Sequence, residues 1–157
     1  KVCQISLKLT LPAHPSTTAY SYLQLSIRRE ALALNDTILV MEDESAVLQM
    51  TETMLRMFGY NVITAADGEE GLALYEAHED EIALVLVDLT MPRLSGLEVI
   101  SALRSASADT KIVLTSGHLD HETAAAEEMV DAYLRKPFRM DDLKATVRLA
   151  LEGKTGD

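Results

Sequence analysis

Cysteine, tryptophan and long apolar runs are what this sequence lacks most clearly. It has one cysteine and no tryptophan. Because Cys3 has no partner for an internal disulfide, packing must stabilise the fold, which suits a reducing cytoplasm. The sequence has no run of about 18 apolar residues, and its N-terminus has no basic stretch followed by an apolar block and a cleavage site. We therefore predict a cytoplasmic location and no contact with a membrane.

Positive charge is also scarce, since 14 Lys and Arg face 25 Asp and Glu and leave a formal net charge of -11. Nucleic-acid phosphates are bound by clustered basic side chains, so we expect no nucleic-acid partner. The imbalance lies in one part of the chain: residues 1–36 carry four basic and two acidic side chains, whereas residues 37–157 carry ten and 23. This division predicts two separate units.

From Thr37 onward, short apolar runs alternate with stretches of helical periodicity. This order predicts an α/β domain with a parallel sheet that is covered by helices on both faces. The first and third runs are continuously apolar, which indicates strands in the centre of the sheet. The five predicted strands are residues 38–41, 60–65, 82–87, 111–115 and 132–134.

The segments between these strands have the spacing and the caps of helices. In the first segment an apolar stripe predicts core positions, with the methionines as gap-filling residues, and Gly59 provides a C-terminal stop. Asp67 has the properties of an N-cap for the second helix. The stripe consists of Val47, Met50, Met54, Met57 and Phe58. Further helices are predicted at residues 95–106, 120–129 and 141–152.

Residues 1–36 have a different pattern. Apolar and polar side chains alternate over residues 5–11, which predicts one strand that ends at Pro12, and a helical stripe follows as far as Leu34. A single strand and helix cannot form a stable sheet domain. We interpret the segment as an N-terminal extension or linker that belongs to a neighbouring domain or to an oligomer contact, possible homodimers included. Because the chain begins with Lys1, we expect it to be a piece of a longer protein.

Polar side chains stand where the predicted strands end. In an open parallel sheet, ligands bind beyond the carboxyl ends of the strands. Two carboxylates about 4 Å apart repel each other by roughly 4 kcal/mol at an effective dielectric of 20, and a hard cation removes this penalty. Mg²⁺ suits the site because it takes carboxylates, waters and a substrate phosphate oxygen. These strand ends are Glu42-Asp43-Glu44, Asp88, Thr115-Ser116-Gly117 and Lys136-Pro137.

A carboxylate in such a site can act as a nucleophile toward phosphorus and form an aspartyl phosphate, if the charge on the phosphoryl oxygens is neutralised. Mg²⁺ and Lys136 would share that task. Thr115 offers a hydroxyl donor to the same oxygens, and the small residues Ser116 and Gly117 leave room for the group to enter. The strand ends therefore predict phosphoryl chemistry.

The same residues resemble the receiver domain of two-component response regulators over residues 37–152. The resemblance implies a flavodoxin-like (βα)5 fold, a doubly wound parallel sheet with strand order 2-1-3-4-5, followed by a tail at residues 153–157. It is carried by Glu42-Asp43, Asp88 with Thr90-Met91-Pro92 and Gly96, Thr115-Ser116-Gly117, and Tyr133 ahead of Lys136-Pro137-Phe138.

The resemblance also implies roles for these residues. Asp88 would be the phosphoacceptor, and Lys136 would contact the phosphoryl group, with Pro137 after a cis bond. Mg²⁺ would be held by Glu42, Asp43, Asp88 and the backbone carbonyl of Thr90. The donor would be a phosphohistidine on a histidine kinase or on a histidine phosphotransfer domain.

A switch is implied as well. Thr115 would turn toward the phosphoryl group and Tyr133 would move inward, which changes the surface of the fourth and fifth predicted helices and the fifth strand. Phosphorylation would act by shifting the population between two packings. The domain would be a signalling switch that slowly loses its own phosphate to water, more than a turnover enzyme.

Several alternatives remain open. We favour the C-terminal receiver of a hybrid histidine kinase, because residues 2–11 resemble the closing strand of a kinase ATP-binding domain and residues 115–118 resemble hybrid-kinase receivers. A stand-alone response regulator or relay protein is the second placement. A haloacid-dehalogenase-like phosphohydrolase would need an acid where Thr90 stands. A non-phosphorylated receiver that acts only as a binding module is the last alternative.

Overall fold

The computed structural model describes residues 36–107, 109–117, 126 and 128–153. The predicted N-terminal extension at residues 1–36 lies almost wholly outside this range, and its interpretation stays a prediction. Most of the predicted helix at residues 120–129 also lies outside the described residues. No helix within the described part of the chain is long and apolar enough to cross a membrane.

Five parallel strands form one sheet in the order β2-β1-β3-β4-β5. This confirms the α/β class, the flavodoxin-like strand order and the central positions of the first and third strands. No strand boundary differs from the predicted one by more than one residue. The strands are β1 (Thr37–Met41), β2 (Asn61–Ala65), β3 (Ile82–Asp88), β4 (Lys111–Ser116) and β5 (Ala132–Arg135).

Four helices lie within the described residues: α1 (Ser45–Met57), α2 (Gly68–Ala77), α3 (Gly96–Ala106) and α4 (Met140–Glu152). The predicted cap of α2 is confirmed, because the Asp67 side chain accepts a hydrogen bond from the backbone N–H of Glu70 at 2.9 Å. α3 begins with a capping box in which Ser95 and Glu98 each satisfy a backbone N–H of the other. Such caps replace the bonds that a first helical turn cannot make within itself.

The core has two halves because successive side chains of a strand point to opposite faces of the sheet. Burying each large apolar side chain contributes about 1.5–3 kcal/mol. On one face, Leu39, Met41, Val85, Val87, Ile112 and Leu114 pack with residues of α2 and α3. On the other face, Ile38, Val40, Leu84, Leu86 and Val113 pack with residues of α1 and α4. Burial on both faces explains the uninterrupted apolar runs in β1 and β3.

The predicted core stripe of α1 is wrong for two of its methionines. Met50 is 41% exposed and Met57 is 68% exposed. The fully buried positions of this helix are Thr51 and Leu55. The helix is rotated so that Leu55 enters the core, and the two methionines lie beyond the edge of the buried face.

The register of the sheet brings the strand ends into line. Met41 of β1 pairs with Val87 of β3, and Asp88 pairs with Thr115 of β4. Ser116 in turn pairs with Arg135 of β5. The residues that follow these positions therefore leave the sheet at the same edge.

Candidate functional site

Three acidic side chains meet at the carboxyl edge of β1 and β3. Asp88 is the last residue of β3, and Glu42 and Asp43 directly follow β1. Glu42 is 4% exposed and Asp88 is 6% exposed, whereas Asp43 is open to solvent. One carboxylate oxygen from each of the three lies within 4.8 Å of the others. The structure thus brings the predicted acidic residues together.

Lys136, which follows β5, points its ammonium between two of these acids. Its Nζ lies 2.6 Å from Glu42 Oε2 and 2.8 Å from Asp88 Oδ1. A backbone bond from Lys136 N to Ser116 O at 2.8 Å fixes the start of this segment against β4. The next peptide bond, Lys136-Pro137, is cis, as expected from the resemblance. Lys136 therefore supplies the cation that these close carboxylates need.

Burial and charge shift two pKa values in the site. Burial is the largest influence on Glu42 and raises its pKa; the hydrogen bond from Lys136 opposes this rise, and the charge of Asp88 adds to it. Burial alone would lower the pKa of Lys136. Hydrogen bonds to Asp88 and Glu42, together with their charges, outweigh burial and raise the pKa of Lys136. The lysine therefore stays charged at neutral pH.

Thr115 and Tyr133 lie on the two strands that follow β3 in the sheet. The Thr115 hydroxyl is 3.3 Å from Val87 O and 3.4 Å from Asp88 Oδ1, and Thr115 is 2% exposed. The Tyr133 hydroxyl donates to Ser116 O at 3.2 Å. Ser116 O accepts from both Tyr133 and the backbone of Lys136. This shared acceptor links the predicted switch tyrosine to the lysine that contacts Asp88.

The connection between β3 and α3 is closed tightly behind Asp88. Leu89 N donates to Thr115 O, and Gly96 N donates to Leu89 O, both at 2.9 Å. A Cβ atom on Gly96 would lie 2.3 Å from the carbonyl oxygen of Asp88. Only glycine permits this approach, which gives the predicted Gly96 a physical reason. Thr90, whose carbonyl is a predicted metal ligand, lies exposed in this connection.

One ion pair beside the site was not predicted from the sequence. Arg93, in the same connection, contacts the Asp67 carboxylate at the start of α2, and its Nη1 lies 3.7 Å from Glu69 Oε2. The predicted capping role of Asp67 was correct, but no spacing relates it to Arg93, since the two follow different strands. The presence of a basic residue, Arg93, within residues 91–96 was the one sequence feature that could have indicated an ion pair there.

The donor atoms of the site suit Mg²⁺. They are carboxylate oxygens, which this cation prefers, and three of them are already close together. Asp43 is exposed, so solvent can reach the group from that side. The residues present therefore fit a divalent cation with an open face.

Comparisons with known proteins find relatives with similar sequences. The cell cycle transcriptional regulator CtrA of Caulobacter vibrioides is 35% identical over 121 residues, which are 76% of this chain and 52% of the relative. The chain spans about half the length of the curated relatives it matches.

Solved structures show the same fold. A receiver domain protein from Clostridium thermocellum is 31% identical with a TM-score of 0.70, over 74% of this chain and 94% of that one. TrrA from Thermotoga maritima, solved in complex with Mg(2+)-BeF, is 33% identical with a TM-score of 0.67, over 72% of this chain and 96% of that one. The family described as the response regulator receiver domain matches residues 38–148. The chain therefore belongs to the receiver domains of two-component response regulators.

Proposed function

We propose that this receiver is a phosphoacceptor switch in which Asp88 takes a phosphoryl group with the help of Mg²⁺. The observation that carries the proposal is the contact of Lys136 with both Asp88 and Glu42, at 2.8 and 2.6 Å. The Lys136 ammonium, which contacts both acids, can bind the phosphoryl oxygens when the Asp88 carboxylate becomes an acyl phosphate. Receivers exchange phosphoryl groups with histidine kinases or phosphotransfer proteins, so we take a phosphohistidine as the donor.

The reaction follows from the positions of the side chains. A carboxylate oxygen of Asp88 forms a bond to phosphorus while the bond from phosphorus to the donor imidazole nitrogen breaks, and the electron pair stays on that nitrogen. Mg²⁺, held by Glu42, Asp43, Asp88 and the Thr90 carbonyl, would neutralise charge on the phosphoryl oxygens. Lys136 would neutralise the remainder. Glu42 and Asp88 are buried, which keeps competing water away from this side of the site.

The switch would begin at Thr115. Its hydroxyl, 3.4 Å from Asp88 Oδ1, can turn to donate to a phosphoryl oxygen. This movement would change the space in front of Tyr133, and the hydrogen bond from the Tyr133 hydroxyl to Ser116 O would then belong to only one of the two packings. Phosphorylation can shift the population between the two packings only by the difference in free energy of the contacts that the phosphoryl group makes in each of them.

The protein around this receiver is also a proposal. We propose the C-terminal receiver of a hybrid histidine kinase, supported by the resemblance of residues 2–11 to the closing strand of a kinase ATP-binding domain, with a stand-alone regulator or relay protein as the alternative. CtrA is named a transcriptional regulator and is about twice as long as the matched segment, so the expectation of no nucleic-acid partner applies only to these residues. The cytoplasmic location and a possible homodimer stay predictions.

Acetyl phosphate and Mg²⁺ test the proposal directly. Wild-type protein and the Asp88→Asn variant are incubated with both, and intact mass spectrometry counts added phosphoryl groups. We expect one alkali-labile group on the wild type and none on Asp88→Asn. Asp80→Asn, an exposed acid in the loop before β3, is the matched control and should be phosphorylated like the wild type.

Each rival function has its own result. A wild-type protein that stays unmodified would leave the binding-module alternative standing. Steady release of phosphate from many small esters would favour a phosphohydrolase of the haloacid dehalogenase type, although membership in the receiver family argues against that class.

A further inference from the structure

The connection between β3 and α3 carries Thr90 and returns to the sheet at Gly96. Its two ends are joined by the bond from Gly96 N to Leu89 O. Within it, Leu94 N donates to Pro92 O at 2.9 Å. Met91 is buried in the core, and Leu94 packs against the same cluster. Thr90, between these anchors, depends on them for its position.

Arg93 holds an unusual conformation in this connection. Its φ of 70° lies in the left-handed region, which is unfavourable for a residue with a side chain. Such conformations persist where surrounding contacts hold them. Here the guanidinium contacts the Asp67 carboxylate, with Glu69 nearby as a second acid.

Asp67 is a firm anchor for this contact. It is 3% exposed and its carboxylate caps α2 by accepting from Glu70 N. Next to it, a Cβ atom on Gly68 would lie 2.8 Å from both Cβ and the carbonyl oxygen of Leu94. The backbone at the start of α2 therefore packs directly against the connection. The ion pair holds Arg93 and the close approach holds Leu94, the next residue.

We propose that Arg93 is a positioning residue for the metal and phosphoryl site, because its ion pair with Asp67 holds the β3–α3 connection in place and so fixes the Thr90 carbonyl. The inference rests on the proposed function. The Arg93 side chain is 58% exposed, and exposed ion pairs stabilise a fold only slightly. Partners beyond the ligands nevertheless tune metal affinity strongly, since they set ligand orientation.

The test compares Arg93→Gln and Arg93→Lys with the wild type, using acetyl phosphate as donor. We expect Arg93→Gln to raise the Mg²⁺ concentration for half-maximal phosphorylation about threefold to tenfold. The maximal rate at saturating Mg²⁺ should stay close to that of the wild type. Arg93→Lys keeps the charge and should recover most of the shift. Arg148→Gln, which removes an exposed pair with Glu152 on α4, should change neither quantity.

Two further measurements separate positioning from a general loss of stability. In metal-free protein, amide hydrogen exchange should become faster over residues 89–95 in Arg93→Gln and stay unchanged in α4. Asp67→Asn keeps a capping side chain but loses the charge, so it should give the same Mg²⁺ shift. The double variant Arg93→Gln, Asp67→Asn should shift no further than either single one.

The possible results distinguish the role of Arg93 from the proposed phosphoacceptor function. If the variants are phosphorylated with the Mg²⁺ dependence of the wild type, the inference is wrong and the proposed function stands. The inference also fails if Arg148→Gln shifts the dependence equally, since the effect would then be general electrostatics. A wild-type protein that takes no phosphoryl group at any Mg²⁺ concentration would overturn the proposed function and this inference together.

Discussion

Replacing Lys136 by methionine should lower the free energy of unfolding of the metal-free protein. It should also increase the stabilisation that Mg²⁺ gives. The ammonium lies 2.6 Å from Glu42 and 2.8 Å from Asp88, whose side chains are only 6% and 7% exposed. At an effective dielectric of 20, each contact near 3 Å has a Coulomb energy of roughly 5 kcal/mol, most of which the desolvation of the lysine offsets.

The net loss should be smaller than for a fully buried pair. Lys136 is 21% exposed, and Glu42, whose pKa burial already raises, can take up a proton when the lysine is gone. We therefore expect Lys136→Met to lower the free energy of unfolding by about 1–3 kcal/mol without metal. Mg²⁺ should then bind more tightly to the uncompensated acids, and a tenfold tighter Kd adds about 1.4 kcal/mol of stabilisation at saturation.

Urea unfolding in EDTA and in excess Mg²⁺ measures both effects. Lys144→Met is the control, because Lys144 lies over the Phe58 ring at 5.4 Å, away from the site, and an exposed contact of this kind contributes about 0.5–1 kcal/mol. Its response to Mg²⁺ should equal that of the wild type. A Lys136→Met variant that is as stable as the wild type in EDTA and gains no more stability from Mg²⁺ would show that the ammonium does not compensate these acids.

Further predictions concern residues around the site and at the other end of the sheet. Gly96→Ala should lower the free energy of unfolding by about 2 kcal/mol or more and slow phosphorylation, because the new Cβ atom would lie 2.3 Å from the Asp88 carbonyl oxygen. A free energy of unfolding in urea equal to that of the wild type would contradict this. Tyr133→Phe removes the bond to Ser116 O and should cost about 1 kcal/mol or less, while the phosphorylation rate of Asp88 stays the same; a large loss of rate would show that the hydroxyl belongs to the reacting site. Asp131 is partly buried, which raises its pKa, but bonds from Ile112 N, Arg104 and Lys111 outweigh this and lower the pKa. Its contribution to stability is therefore complete above its ordinary pKa and is lost as the pH falls below about 4, so Asp131→Asn should flatten the fall in stability between about pH 5 and pH 2; equal slopes in acid unfolding would count against this network.

The fold was largely predictable because its signals are local. Continuous apolar runs in β1 and β3 indicated burial on two faces, and the structure has apolar side chains on both faces of these strands. Strand ends were accurate to one residue, since polar side chains lie at or next to most of them. The strand order came from the resemblance to receivers, because periodicity alone does not decide which strands are neighbours.

What the sequence missed depends on contacts between distant segments. The rotation of α1 is set by which side chain fits the sheet, so a stripe that was drawn by spacing included the exposed Met50 and Met57. The ion pair of Arg93 with Asp67 joins the connections that follow two different strands. Asp88, Glu42 and Lys136 could be grouped without coordinates, because parallel strands deliver their carboxyl ends to one edge. Their distances could not.

Borohydride reduction converts an aspartyl phosphate to homoserine and so marks the residue that carries the phosphoryl group. After treatment with acetyl phosphate and Mg²⁺, the wild-type protein is reduced, digested and sequenced by tandem mass spectrometry. We expect homoserine at position 88 alone, formed only with Mg²⁺ and lost when EDTA is added to the phosphorylation reaction. Homoserine at Asp43 or at an acid far from the carboxyl edge, with Asp88 intact, would contradict it.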